Sequence, residues 1–110
     1  MQLAHELLMG EFDDFAKRPN EYLGELGLFG ELGLSESESK GYNWMELDWE
    51  EEDTQSFAEL LRQADKKYSK LGDAERIMWI LSDDAVQEKK MDILINSISR
   101  LVEEKNNGGI

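Results

Sequence analysis

Cysteine is absent from this 110-residue chain. That excludes disulfides, a thiolate nucleophile and any cysteine metal site, and it fits a reducing, cytoplasmic setting. Histidine occurs once, at His5, with no serine or cysteine beside it to activate. It is expected at the surface or the core edge, and a histidine-pair zinc motif is excluded. Long apolar runs are missing too. The longest, Ile77-Met78-Trp79-Ile80-Leu81, has five residues, against the roughly 20 that a membrane-spanning helix needs. The N-terminus lacks a basic region followed by an apolar stretch, so no signal peptide is expected. No phosphate-binding glycine loop or nucleophile elbow occurs. Glu11, Asp13 and Asp14 read as a charged, exposed helix face and not as acid–base machinery. No enzyme and no cofactor are therefore expected.

Positive charge is also scarce. The chain has 12 Lys and Arg against 25 Asp and Glu, a net charge of -13. Phosphates and anionic membranes would be repelled, so neither nucleic acid nor membrane is expected as a direct partner. The imbalance is local. Residues 1–53 hold 15 acidic and 3 basic side chains, a net of -12, whereas residues 54–110 hold 10 and 9, a net of -1. Solubility alone accounts for a moderate negative charge, but its confinement to one half points to an interaction surface.

The length suits a single domain over 1–110 with one modest core. Its apolar spacing predicts a mainly α protein, a small bundle of three main helices plus a short one. Residues 2–17 carry Ala4, Leu8, Phe12, Phe15 and Ala16 on one helical face, and Pro19 ends the helix. Residues 20–53 form an irregular, acidic, Gly-rich segment. Within it Gly24-Glu25-Leu26-Gly27-Leu28 returns as Gly30-Glu31-Leu32-Gly33-Leu34. Four such glycines in one helix would cost roughly 4 kcal/mol, so short turns anchored by leucines are expected. Residues 35–41 read as a solvated linker, and Met45, Leu47 and Trp49 alternate with Trp44, Glu46 and Asp48 at strand periodicity, although Met45 and Trp49 would also meet on a helix.

The helical core spans 54–105. Phe57, Leu61, Ala64, Tyr68 and Leu71 make the clearest amphipathic helix, over 54–71, capped by Asp53 or Thr54 and stopped by Gly72. Asp73 then caps a short helix over 74–81, apolar nearly all round, which suits a buried centre better than an interface wall. Ser82 caps a last helix over 83–105, whose face holds Met91, Leu94, Ile95, Ile98, Leu101 and Val102. Residues 106–110 are expected to fray.

The stretch with most functional promise is Trp44, Glu46, Asp48, Trp49, Glu50, Glu51, Glu52 and Asp53. Its indoles would anchor an interface and its carboxylates would steer it toward a basic protein. The competing reading puts Trp44 and Trp49 in the core, with the acids as their solvated side. Specific metal binding is not expected, since the run lacks the glycine and ligand spacing of a calcium loop. The first function on these grounds is an acidic inhibitor or modulator that occupies a basic, nucleic-acid-binding surface by mimicking nucleic acid, as small viral and mobile-element proteins do. The alternative is an assembly chaperone, adaptor or antitoxin that binds a partner, or a second copy of itself, through apolar helix faces at Ile77, Trp79 and Ile80.

Overall fold

A computed structural model describes residues 2–108. Among them the chain is helical nearly throughout and forms no strand. The helices are α1 (Gln2–Lys17), α2 (Pro19–Glu25), α3 (Leu28–Leu32), α4 (Glu36–Ser39), α5 (Glu51–Lys67), α6 (Asp73–Ser82) and α7 (Asp84–Gly108), with a 3-10 turn at Trp44–Glu46. The backbone of 106–108 continues α7, contrary to the expected fraying, and Gly109 and Ile110 lie outside the described residues.

α1, α5 and α7 pack on one another and enclose the core. Their apolar stripes supply it as the spacing predicts: Ala4, Leu8, Phe12 and Phe15 from α1, Phe57, Leu61 and Ala64 from α5, and Leu94, Ile98, Leu101 and Val102 from α7, joined there by Ile93, which the spacing did not mark, while Met91 and Ile95 are only partly buried. Glu11, expected on an exposed face, is instead sheltered: its ion pair with Lys90 Nζ at 3.3 Å ties α7 to α1 with both side chains less than one-fifth exposed. α1 ends where expected, because the residue before Pro19 is held out of the helical region: Arg18 sits at φ -137°, ψ 53°.

The Gly-rich segment is more regular than its composition suggests. Each copy of the pentapeptide repeat ends a short helix. The second glycine of each, Gly27 and Gly33, adopts φ +66°, and the leucine that follows, Leu28 or Leu34, is buried. Gly33 closes α3 with paired bonds, its own N–H donating to the Gly30 carbonyl (3.3 Å) and the Leu34 N–H to Phe29 (3.0 Å). This is the left-handed glycine stop with its apolar anchor. Gly30 lies inside α3, with open space where a Cβ would sit. The two positions should respond with opposite sign. Gly33→Ala should cost about 1 kcal/mol by forcing a side chain into left-handed backbone. Gly30→Ala should gain about 0.5–1 kcal/mol of helix propensity. Urea unfolding of the two variants checks both.

Several boundaries differ from the sequence reading. Residues 35–41 are not a loose linker: Ser35 accepts the Glu38 N–H (3.1 Å) to cap α4, and Ser39 is fully buried. α5 starts at Glu51 rather than 54, with Glu50 at its N-cap position and no side-chain cap bond, so neither Asp53 nor Thr54 caps it. It ends at Lys67, and Gly72 instead occupies the N-cap of α6 in extended geometry (φ -64°, ψ 158°), with Asp73 one residue inside. α7 is capped by Asp83 rather than Ser82. The Asp83 carboxylate accepts the Ala85 N–H (3.0 Å) while its carbonyl accepts the Gln87 N–H (3.0 Å).

The largest difference concerns α6, which is not a buried centre. α5 and α7 cover one side of it and take in Ile80, leaving Ile77, Met78 and Trp79 each more than half exposed. A helix apolar all round needs neighbours all round, and α6 has them on one side.

Candidate functional site: an acidic, methionine-flanked groove

Residues 42–50 lie across α1 and α7, and specific bonds fix their path. The Asn43 side chain accepts the Met45 N–H (3.3 Å) and starts the 3-10 turn. Trp44 is buried. Its indole N–H donates to the Ser39 carbonyl (3.0 Å), its ring meets Phe15 edge-on at 5.1 Å, and Tyr42 stacks on it at 5.1 Å. Trp49 is half-buried, edge-on to Phe12 at 4.8 Å and tilted against His5 at 5.3 Å. Its indole N–H donates to the Thr54 hydroxyl (2.6 Å). Both indoles thus have their hydrogen bonds met inside the chain. For Trp44 the core reading holds, and the ring is not available as an anchor for a partner. Trp49 shows part of one face.

Arg100 of α7 holds this segment from the other side. Its guanidinium donates to Glu50 (2.7 Å), to the Asp48 carbonyl (3.2 Å) and to the Ser97 hydroxyl (3.2 Å). The alternation that suggested a strand therefore has a different cause. Trp44, Met45, Leu47 and Trp49 border a groove against Met9 and Phe12 of α1, whereas Glu46 and Asp48, with Leu47 shared between the two, border a cleft beside Arg100. The segment lies between two helices, and among the described residues it has no neighbouring strand to pair with.

The groove has Met9 and Met45 at its edges, 51% and 72% exposed, and Asp13 as the carboxylate that lines it. Glu46, Asp48, Glu51 and Glu52 are exposed nearby in the chain, while Asp53 is half-buried and Glu50 is neutralised in part by Arg100. Of the eight residues singled out from sequence, the structure leaves Glu46, Asp48, Glu51 and Glu52 exposed, the first two accepting hydrogen bonds from the Asn43 amide and the Trp49 N–H, and takes Trp44 into the core. Met9 was missed, Met45 lay within the chosen stretch without a role, and Phe12 was read only as core, which it is. Met9 falls on the flank of the α1 stripe, and its spacing carries no sign that a later segment packs beside it. Among the described residues no three His, Asp or Glu side chains converge in a way that would hold a metal ion. No helix there is long and apolar enough to cross a membrane.

A second constellation lies where α5, α6 and α7 meet. Trp79 stacks on Tyr68 at 5.9 Å, and the Tyr68 hydroxyl donates to Asp83 (2.8 Å), which also takes Lys67 Nζ (3.2 Å). The Tyr68 hydrogen bond, helped by Lys67, holds the Asp83 carboxyl below its ordinary range, and Lys67's own hydrogen bond to Asp83 raises Lys67. Beside it a shallow hollow is lined by Lys67, Tyr68, Lys70, Leu71 and Trp79. Of the alternative apolar interface, Ile77 and Trp79 are exposed and Ile80 is buried.

The chain matches no protein-family model, no curated protein and no solved structure.

Proposed function

We propose that this chain is a non-catalytic binding protein that occupies a basic surface of a protein partner, as an inhibitor or modulator of it. The observation that carries this reading is the groove between α1 and residues 44–49, apolar at its floor and set in the half of the chain with a net charge of -12. Exposed methionines suit such a role because the thioether is polarizable and adapts to varied apolar contacts. Carboxylates around an apolar patch favour a partner that brings lysine or arginine together with an apolar side chain. A basic surface that normally binds nucleic acid meets that description, and clustered carboxylates offer it a field like that of a phosphate backbone. Nucleic-acid mimicry is the specific form we favour.

The test is affinity capture from cell extract, comparing the natural chain with the Glu51→Lys, Glu52→Lys double variant. These two carboxylates are exposed, whereas reversing Glu50 would also break its pairing with Arg100. A basic protein should be retained at about 50 mM salt and released steeply toward about 200 mM. Duplex nucleic acid should compete, and the double variant should retain at least tenfold less. Capture that persists at high salt, ignores nucleic acid and survives the charge reversal would overturn the reading. An adaptor that docks a partner through α6 is the second reading, favoured by the exposure of Ile77, Met78 and Trp79.

A further inference from the structure

The groove between α1 and residues 44–49 is small, and its size limits what can fill it. Its volume is about 150 Å3, below the roughly 300 Å3 at which small-molecule sites begin. Its α1 wall, from Met9 to Ala16, runs about 10 Å at the rise of a helix. A second helix, itself about 10 Å across, is too wide to enter. One long side chain is not. Resting on the binding reading above, we propose that the groove is the socket for a single arginine of the basic partner.

The lining selects that side chain. It is apolar apart from Asp13: Met9, Phe12 and Ala16 come from α1, and Met45 and Trp49 from the crossing segment. The methylene stem of an arginine can lie on such a surface while its head stays polar. Asp13 sits one helical turn beyond Met9, on the same face of α1, and offers the guanidinium a carboxylate to fork onto. Trp49 is only half-buried, and guanidinium planes stack on indoles. A guanidinium is also more weakly hydrated than an ammonium, so it enters apolar surroundings at less cost than lysine does. The wider field has the matching sign. Residues 44–53 carry six carboxylates and no lysine or arginine, so a cation is drawn in and an anion refused. An aliphatic knob would meet the same walls without using Asp13, the indole face or the field.

Lys17 already pairs with Asp13 at 3.1 Å, one turn along α1, with both side chains more than half exposed. Exposed pairs of this kind contribute little, so an incoming guanidinium can displace the ammonium. Lys17 is thus a competitor for the socket.

The test titrates acetyl-Gly-X-Gly-amide tripeptides, with arginine, lysine, citrulline or norleucine at the centre, into the full chain isotopically labelled at its methionine methyl groups. Citrulline keeps the shape of arginine without its charge. The arginine peptide should move the Met9 and Met45 signals with a Kd of about 1 mM, while Met78 on α6 stays in place. Lysine should bind about threefold more weakly, and citrulline and norleucine about tenfold. Asp13→Asn should weaken the arginine peptide about tenfold. Asp14→Asn makes the same charge change at an exposed neighbour outside the groove and should cost about twofold or less. Lys17→Gln should tighten binding about twofold. Unmoved Met9 and Met45 signals overturn the proposal. So does lysine, citrulline or norleucine binding as well as arginine, or an equal loss in the Asp13 and Asp14 variants. The two readings fail separately. Capture of a basic protein that Asp13→Asn leaves unchanged sinks the socket alone. A chain that binds the arginine peptide as described, yet retains no salt-sensitive basic protein from extract, sinks the inhibitor reading alone.

Discussion

Phe15→Ala should destabilise the protein by about 3–5 kcal/mol, a large share of the 5–15 kcal/mol that holds a domain of this size together. Phe15 is fully buried and lies where three parts of the chain meet. From α1 it meets Trp44 of the 3-10 turn at 5.1 Å, nearly perpendicular, and Tyr22 of α2 at 5.7 Å. Truncation removes the transfer energy of the ring, leaves a cavity, and cancels two edge-to-face contacts worth about 0.5–1.5 kcal/mol each. The loss should be read as a lower midpoint in urea at nearly constant slope. Tyr22 of α2 and, through the Trp44–Ser39 hydrogen bond, α4 lean on this aromatic group, so these helices should lose amide protection first. A cost below about 1.5 kcal/mol would mean that the ring is not packed as described, since even smaller core truncations reach that value.

Asp83→Ala should cost about 2–3 kcal/mol, far more than a polar substitution between two helices ordinarily does. One carboxylate here serves three donors: the Ala85 N–H that opens α7, the Tyr68 hydroxyl and Lys67 Nζ. Alanine removes the cap and leaves the tyrosine hydroxyl without its partner. Asp83→Asn keeps a side-chain oxygen for the cap and should cost about 1 kcal/mol. The two variants also separate cap from charge. Because the folded protein holds the Asp83 carboxyl below its ordinary range, the unfolded chain takes up that proton first on acidification. The stabilisation is thus complete above the unfolded value of about 3.9 and is lost as pH falls through the lower, folded value. The stability gap between the natural chain and Asp83→Asn should accordingly be constant near neutrality and shrink below about pH 4. A gap that widens on acidification would contradict the assigned hydrogen bonds.

The bundle was legible because α1, α5 and α7 each bury one stripe, and a stripe at helical spacing is a local property of sequence. The three core faces agree nearly residue for residue with the spacing of Leu8, Phe12 and Phe15, of Phe57, Leu61 and Ala64, and of Leu94, Ile98 and Leu101. Caps were less legible, because neighbouring candidates compete. Ser82 and Asp83 both suit an N-cap, and Tyr68 with Lys67, brought close only by tertiary folding, decides for Asp83. The exposure of α6 was hidden for a related reason: composition says how apolar a helix is, and only the packing says how many sides have neighbours. At the groove, sequence located the acidic run but could not see that Trp44 is taken up by Phe15 and Tyr42, or that Met9 and Met45 line the same groove.

The three tryptophans stand in three different surroundings. Trp44 is enclosed and hydrogen-bonded to a carbonyl, Trp49 is half-covered at the groove, and Trp79 is 55% exposed on α6. Their emission should therefore divide into a blue component closed to aqueous quenchers, an intermediate one, and a red component quenched freely. A ligand in the groove would alter the second and contact at α6 the third. The unlabelled chain thus carries an optical reporter for each surface and, in Trp44, an internal standard for both.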